Sequence, residues 1–296
     1  MNKLITKAVL ALTLFGFVLE AGFAQTTYQT PPQSIADLFN APPTPSVTFN
    51  KDGSIMMILE RAGSPTIEDL AQPELRIAGI RINPAISGPS RASSFHNIKI
   101  KKTRSGEEIQ IKDLPSNPKM SGFSLSQDEK YLAFTQTEAS GISLWIVDLT
   151  SFEAKKLTDP IINQVFGNSI VWMPDNSILV KVVNPARGSM SKAPAAPVGP
   201  IIQETSGNAA PTRTYQDLLT NPYDEALFAY FMDSQLMKIS IDGSKTAIGK
   251  PGLIKSMDIS PDGNFILVET IQKPFSYLVP GDRFPYNVEI WKSNGE

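Results

Sequence analysis

The sequence contains no cysteine, which excludes disulfide bonds, thiolate nucleophiles and zinc sites with cysteine ligands. It has a single histidine, His96, so a metal site built from several histidines is excluded as well. The formal net charge is −2, and this balance favours neither a nucleic acid nor an anionic membrane surface as a partner. Glycine-rich phosphate loops and EF-hand loops are missing. We therefore expect no cofactor and no bound metal.

The chain also lacks the residues of a complete hydrolytic site. A serine hydrolase needs a nucleophile, a general base and an oxyanion hole. No Gly-x-Ser-x-Gly sequence occurs, and Ser-x-x-Lys is found only in the proline-flanked segments 116–119 and 189–192. His96 adjoins a predicted strand, where a structural role is favoured over a catalytic one. We expect no catalytic residue in this chain and no activity from it alone.

Proline and glycine, in contrast, are plentiful, and one strand–turn–strand pattern recurs four times. In the clearest copy, residues 254–270, the turn is Pro261, Asp262 and Gly263 between two apolar runs. The turn aspartates of the four copies are Asp52, Asp128, Asp175 and Asp262. The spacing of 47 residues between the second and third matches the ~40–50 residues of one four-stranded propeller blade. The longer spacings fit blades that carry insertions.

These repeats predict an all-β fold, an incomplete β-propeller of about four four-stranded blades. Four unrelated hairpins are the alternative. We place the propeller portion at residues 46–296, after a polar segment at 25–45. One long, partly helical insertion is expected at 184–235, with a helix over 214–232. Asn294-Gly295 is typical of a hairpin turn but no strand follows it, so we expect the last blade to be truncated.

Two details of the first blade are predicted from local patterns. Residues 75–82 alternate between apolar and polar side chains, which predicts one strand. In the segment before them, Ser64 followed by Pro65 predicts the start of a short helix with Ser64 as its N-cap.

The N-terminus has the pattern of a secretory signal peptide at residues 1–24. Lys3 and Lys7 precede a 12-residue apolar run, which is shorter than the ~20 residues of a membrane-spanning helix. Gly22 and Ala24 are the small residues that signal peptidase requires, which predicts cleavage after Ala24. We expect a periplasmic or extracellular protein that has no membrane attachment after cleavage. A short membrane anchor is the alternative.

Arginines are the remaining candidates for a binding role. Arg76, Arg81 and Arg91 lie within sixteen residues of one another, in or near the first predicted blade. A guanidinium group recognises carboxylates through two parallel hydrogen bonds. The alternative is that all three are solvated arginines at strand edges.

Four longer motifs carry a resemblance to a known family. They are Asn40-Ala-Pro-Pro-Thr-Pro-Ser-Val47, Gln72-Pro-Glu-Leu-Arg-Ile-Ala-Gly-Ile-Arg-Ile-Asn-Pro84, Thr214-Tyr-Gln-Asp-Leu-Leu-Thr-Asn-Pro-Tyr-Asp-Glu225, and Lys273-Pro-Phe-Ser-Tyr-Leu-Val-Pro280 followed by Arg283-Phe-Pro285. Through them the chain resembles the N-terminal half of prolyl oligopeptidase-like serine peptidases, most closely their glutamyl endopeptidase branch.

The resemblance implies a two-domain enzyme, and the predicted signal peptide implies that it is secreted. A β-propeller would limit access to a C-terminal α/β-hydrolase domain that carries Ser, Asp and His, and cleavage would follow an acidic residue, chiefly glutamate. That hydrolase domain is absent from this sequence, so it is an expected partner, together with a peptide substrate. Arg76, Arg81 and Arg91 are expected to help recognise the substrate glutamate. The alternative function is a stand-alone propeller that binds a peptide or a protein without enzymatic activity.

Overall fold

The computed structural model of the chain describes residues 30–196 and 214–296. The predicted signal peptide and part of the predicted insertion lie outside the described residues. The chain divides into two compact units, Met1–Pro42 and Pro43–Glu296. In the first unit, helix α1 (Gln33–Asn40) is amphipathic, and its Gln33 side chain donates a hydrogen bond of 2.6 Å to Asp37 Oδ1. Across the described ranges, every helix is too short or too polar to cross a membrane.

The second unit is dominated by antiparallel strands. They are β1 (Ser46–Phe49), β2 (Ile55–Arg61), β3 (Leu75–Ile77), β4 (Ile80–Asn83), β5 (Gly88–Pro89), β6 (Phe95–Lys102), β7 (Glu108–Gln110), β8 (Met120–Leu125), β9 (Tyr131–Glu138), β10 (Gly141–Asp148), β11 (Glu153–Lys156), β12 (Ile170–Trp172), β13 (Ile178–Val183), β14 (Asp233–Ile239), β15 (Lys245–Ile259), β16 (Phe265–Ile271) and β17 (Tyr286–Lys292). Helices α2 (Ile67–Leu70) and α3 (Pro222–Met232) lie between them.

The strands group into the predicted blades. One eight-stranded sheet contains β1, β2, β6 and β7, followed by β8 to β11, and only the pair Phe95–Met120 joins β6 to β8. A six-stranded sheet runs in order from β12 to β17. Its strand β15 pairs with β14 along its first part and with β16 along its second part, so it links the third blade to the fourth. The prediction of an incomplete all-β propeller is confirmed.

All four repeated turns have the same backbone conformation. In each, the aspartate Oδ1 accepts a hydrogen bond from the backbone N–H two residues later. The pairs are Asp52–Ser54, Asp128–Lys130, Asp175–Ser177 and Asp262–Asn264, at 3.0, 3.2, 3.0 and 3.1 Å. The residue between them has a positive φ in every copy: 68° at Gly53, 58° at Glu129, 62° at Asn176 and 73° at Gly263. Glycine meets this requirement without strain, and asparagine meets it better than glutamate does.

Consecutive turns also contact each other. Glu129 Oε1 in the second turn accepts a hydrogen bond of 2.7 Å from the backbone N–H of Lys51 in the first. The Asn176 side chain in the third turn donates to Asp128 Oδ2 in the second, at 2.9 Å. This hydrogen bond is the main cause that lowers the pKa of Asp128. The repeated turns therefore join neighbouring blades as well as neighbouring strands.

Replacing Asn176 with alanine is expected to lower the free energy of unfolding by about 1–2 kcal/mol, because the variant loses a hydrogen bond to a carboxylate and strains a left-handed residue. Asn176→Gly loses the same hydrogen bond but tolerates the positive φ, so its cost should be smaller. Urea denaturation of both variants measures the two contributions. Equal stability of Asn176→Ala and the wild type would contradict the proposed contact.

Apolar side chains fill each space between successive blades. Met57 and Phe134 belong to the cluster between the first and second blades, and Leu144 and Val180 to the cluster between the second and third. A third cluster joins the last two blades. The outer face of β16 and β17 is apolar but exposed: Leu267, Val288 and Ile290 are 42%, 58% and 71% accessible. Within the described residues this face has no neighbouring blade.

The inserted segments differ from prediction in two places. The predicted helix over 214–232 is helical only from Pro222, because Asn221 caps it by accepting a hydrogen bond from Asp224 N at 2.9 Å. Proline favours the first helical turn and prevents the helix from continuing through the preceding residues. The predicted strand over 75–82 is a hairpin, since Ala78 and Gly79 have φ of 50° and 76° and reverse the chain.

Candidate functional site

A polar cavity of about 970 Å³ lies over the first two blades. Its walls come from the segment that connects β2 to β6, from the loop before β8 and from the second blade. Four cationic side chains line it: Arg61, Arg91, Lys119 and Lys156. Among the described residues, no group of three or more histidine, aspartate or glutamate side chains could hold a metal ion. Three acidic side chains, Glu68, Asp69 and Glu138, also line the cavity, so it offers cationic, acidic and neutral polar groups to a ligand.

Helix α2 forms one wall, and its N-terminus is tightly capped. Thr66 is the N-cap: its hydroxyl accepts from Asp69 N at 3.1 Å, while Asp69 Oδ2 accepts from Thr66 N at the same distance. The predicted N-cap, Ser64, lies two residues too early, because only Thr66 has the acidic partner three residues later that completes a capping box. Hydrogen bonds from Lys119 and Thr66 lower the pKa of Asp69 to about 2.

The second blade supplies the opposite wall. Glu138 accepts hydrogen bonds from Lys156 Nζ at 2.6 Å and from Ser143 Oγ at 2.5 Å. Burial opposes ionisation of Glu138, but these two hydrogen bonds outweigh it and lower the pKa of the carboxyl. Trp145 donates its indole N–H to the same Ser143 hydroxyl at 3.0 Å. Lys156 is thus neutralised by a carboxylate within the wall.

The base of the cavity is fixed by buried glutamine. Gln136 is 4% exposed, and its side-chain oxygen accepts from Lys119 N at 2.9 Å while its NH2 group donates to Asn117 O at 2.9 Å. Gln164, which also lines the cavity, donates to Thr135 Oγ1 at 2.9 Å. These bonds hold the loop before β8 against β9, so the base is preorganised.

The three predicted arginines lie on and beside the small sheet of β3, β4 and β5. Arg76 and Arg81 are directly paired across β3 and β4, whereas Arg91 follows β5 with a φ of 51°. Only Arg91 of the three lines the cavity. A non-glycine residue at this φ is held there by its surroundings, and such residues concentrate at binding sites.

Each of these arginines faces a carboxylate. Arg76 Nε lies 2.7 Å from Glu74 Oε1, Arg91 Nε lies 3.7 Å from Glu74 Oε2, and Arg81 Nε lies 3.0 Å from Asp217 Oδ2. The hydrogen bonds from Arg76 and then Ser90 lower the pKa of Glu74. Arg76 and Arg91 therefore share Glu74 as their ion-pair partner, whereas Arg81 pairs with Asp217.

Sequence reasoning missed the other cavity cations. Arg61, Lys119 and Lys156 belong to different blades or loops, and no common motif contains them. Arg61 is the last residue of β2, at a β-bulge: Glu60 pairs with Asn97, while Arg61 pairs with Phe95, so His96 is left over. The residue types of Glu60 and Arg61 do not predict a bulge at this position.

Comparisons with known proteins give two extended matches. No protein-family model matches the chain. A protein of Oryza sativa subsp. japonica named "Probable glutamyl endopeptidase, chloroplastic" is 36% identical over 288 residues, which cover 92% of this chain and 30% of that protein. A protein of the same name from Arabidopsis thaliana is 34% identical over 284 residues, covering 91% and 29%. The chain thus spans about 30% of the length of these curated relatives.

Solved structures give more distant likenesses. Pyrococcus horikoshii acylaminoacyl peptidase is 14% identical, with a TM-score of 0.47 over 88% of this chain and 32% of that one. The β-propeller domain of the trilobed protease from Pyrococcus furiosus is 11% identical, with a TM-score of 0.39 over 84% of this chain and 55% of that one. The fold is identified by the strands and sheets described above.

Proposed function

Because this chain is related along 92% of its length to proteins named glutamyl endopeptidase, we propose that it is the N-terminal propeller portion of a secreted serine endopeptidase that cleaves peptides after glutamate. In this proposal the propeller controls access of the substrate and helps to bind it. Ser, Asp and His of the catalytic site belong to a C-terminal α/β-hydrolase domain, and this chain alone does not cleave peptides.

The polar cavity is the observation that supports this function. Its volume of about 970 Å³ lies at the upper end of the range for ligand pockets, which suits a short extended peptide. Its side chains supply amide, hydroxyl and cationic groups, all of which can bond a peptide backbone or an acidic side chain. Its base is held in place by Gln136 before any ligand arrives.

The predicted arginines have different roles in the proposal. Arg91 lines the cavity and makes a supporting contact with the substrate glutamate, which it shares with Glu74 at 3.7 Å. Arg76 and Arg81 position the small sheet of β3, β4 and β5 through Glu74 and Asp217.

We also propose a cleaved signal peptide at 1–24, a polar segment at 25–45 and a propeller portion at 46–296 with its insertion at 184–235. The predicted location is periplasmic or extracellular; "chloroplastic" is part of the names of the plant relatives.

A stand-alone binding propeller is the second candidate, because the cavity is built entirely from the second unit of this chain. The two functions share the same peptide-binding surface. They differ in whether an open reading frame continues beyond codon 296 to a Gly-x-Ser-x-Gly sequence and a late histidine. Such a frame supports the peptidase portion, and a stop codon supports the stand-alone propeller.

The purified chain is expected to bind a capped, fluorescent hexapeptide that contains glutamate, without cleaving it. Arg91→Ala should weaken this binding roughly twofold to fivefold, because an exposed charged contact that is shared with Glu74 is lost. Arg104→Ala, in the exposed turn between β6 and β7, is the matched control and should bind like the wild type. Fluorescence polarisation measures the affinity, and mass spectrometry of the same peptide detects cleavage. Cleavage by this chain, or absence of binding, would contradict the proposal.

A further inference from the structure

Three of the four cations of the cavity already have an acidic partner in the protein. Lys119 lies 2.8 Å from Asp69, Lys156 lies 2.6 Å from Glu138, and Arg91 lies 3.7 Å from Glu74. A cation that is neutralised in this way has less to gain from the carboxylate of a ligand, because it must first give up or share its partner. The fourth cation, Arg61, differs from these three.

Arg61 makes no ion pair within 4.0 Å and no side-chain hydrogen bond with any residue that the structure describes. Its neighbour in sequence, Glu60, is on the opposite face of β2, where it accepts hydrogen bonds from Lys99 at 2.7 Å and Asn97 at 2.9 Å. Those two bonds occupy the carboxylate that is nearest along the chain. Among the described residues, the guanidinium donors of Arg61 are therefore unoccupied.

Two local features accompany Arg61 at the cavity. Arg61 ends β2 opposite a β-bulge of β6, whose extra residue is His96, and β-bulges are over-represented next to functional sites. The next residues, Ala62, Gly63 and Ser64, are small and also line the cavity, so they leave room beside the guanidinium group.

We propose that Arg61 is the residue that selects an acidic side chain in the bound peptide, through a two-pronged contact with its carboxylate. This inference rests on the proposed peptide-binding function of the cavity. It assigns the charge preference mainly to Arg61, with Arg91 in a supporting role. Planar guanidinium groups match carboxylates in this way, whereas an ammonium group offers only a point charge.

The test uses two capped, fluorescent hexapeptides that differ only in having glutamate or glutamine at one position. The wild-type chain is expected to prefer the glutamate peptide by roughly tenfold or more, the gain from a charge-assisted contact. Arg61→Gln should remove most of that preference, leaving the smaller part that Arg91 contributes, while its affinity for the glutamine peptide stays unchanged. Arg61→Lys should retain a part of the preference. Arg104→Gln is the control for loss of one exposed positive charge, and unchanged thermal melting shows that each variant is folded.

The outcomes separate this inference from the function on which it rests. If the wild type binds neither peptide, the proposed function fails. If it binds both peptides equally, or if Arg61→Gln retains the full preference, peptide binding stands and the role of Arg61 is overturned. Loss of the preference in Arg91→Gln together with its retention in Arg61→Gln would overturn it too. Loss of most of the preference in Arg61→Gln, accompanied by a weaker dependence of glutamate-peptide binding on salt, is the supporting result.

Discussion

Replacing Lys181 with methionine is expected to stabilise the protein at neutral pH and to remove most of the increase in stability that the wild type shows at alkaline pH. Lys181 lies in the middle of β13 and is only 1% exposed. Its amino group donates to the backbone carbonyl oxygen of Phe166, and no carboxylate of the described residues lies within 4.0 Å of it. Burial lowers the pKa of Lys181 to about 7.

The direction of the pH effect follows from proton binding. In the unfolded chain this amine has a pKa near 10.5, so between about pH 7 and pH 10.5 the unfolded state holds a proton that the folded state has lost. Folding must release this proton, and the free-energy cost of the release falls as the pH rises through this window, so the folded state becomes more stable. The slope approaches about 1.4 kcal/mol per pH unit within the window and vanishes below it.

Urea denaturation from pH 6 to pH 10 measures this contribution. The wild type should gain several kcal/mol relative to Lys181→Met across the range, as an order-of-magnitude expectation. The matched control is Lys112→Met, because the side chain of Lys112 is 68% exposed and should leave the pH profile unchanged. Parallel profiles for the wild type and Lys181→Met would show that this amine is not buried in the folded protein.

Replacing Phe228 with alanine is expected to cost about 3–5 kcal/mol of the free energy of unfolding, the range for truncating a buried aromatic side chain. Phe228 is on α3, is fully buried and lies edge-to-face against Phe275 at 5.2 Å and Phe284 at 5.4 Å between ring centroids. The site has little means of collapsing, since Gly281 already approaches the ring so closely that a Cβ there would lie 3.2 Å from it.

This aromatic cluster also supports the candidate site. Phe228 shares its core cluster with Ile77 and Ile82 of the β3–β4 hairpin, on which Arg76 and Arg81 are carried. Loss of the ring should therefore loosen the hairpin as well as lower stability. Phe39→Ala is the matched control, because Phe39 is 75% exposed and its truncation should change stability by less than about 0.5 kcal/mol. Urea denaturation compares the two, and equal stabilities would contradict the packing of α3.

The repeated strands and turns were determined by the sequence alone. The hydrogen bond from the backbone N–H to the aspartate two residues earlier is local, and so is the positive φ of Gly53 or Gly263. Each turn can therefore be predicted from its own residues. The alternation of apolar residues then indicates which strands are buried. The family resemblance could be recognised for a similar reason, because its motifs are continuous segments of the sequence. The relationship to proteins named glutamyl endopeptidase is confirmed.

Local patterns failed where two of them competed. Residues 214–220 have helical spacing, but Asn221 and Pro222 impose a new start that overrides it. Residues 75–82 alternate as one strand would, yet Ala78 adopts a left-handed conformation that its residue type disfavours. Gly79 beside it donates its backbone N–H to Asp217 O at 2.8 Å, a contact made 138 residues further along the chain.

The candidate site was decided by tertiary structure. Arg61, Arg91, Lys119 and Lys156 meet at one cavity only after two blades and an inserted hairpin have packed together. Which of these cations keeps its donors available depends on acids that folding brings close to the other three. The burial of Lys181 is decided in the same way, because a lysine within a strand is expected to be exposed, and only the folded chain shows that it is buried. Local hydrogen bonds and the alternation of apolar and polar side chains depend on residues close together in the sequence. Charge pairing and desolvation depend on groups that only the folded chain brings together.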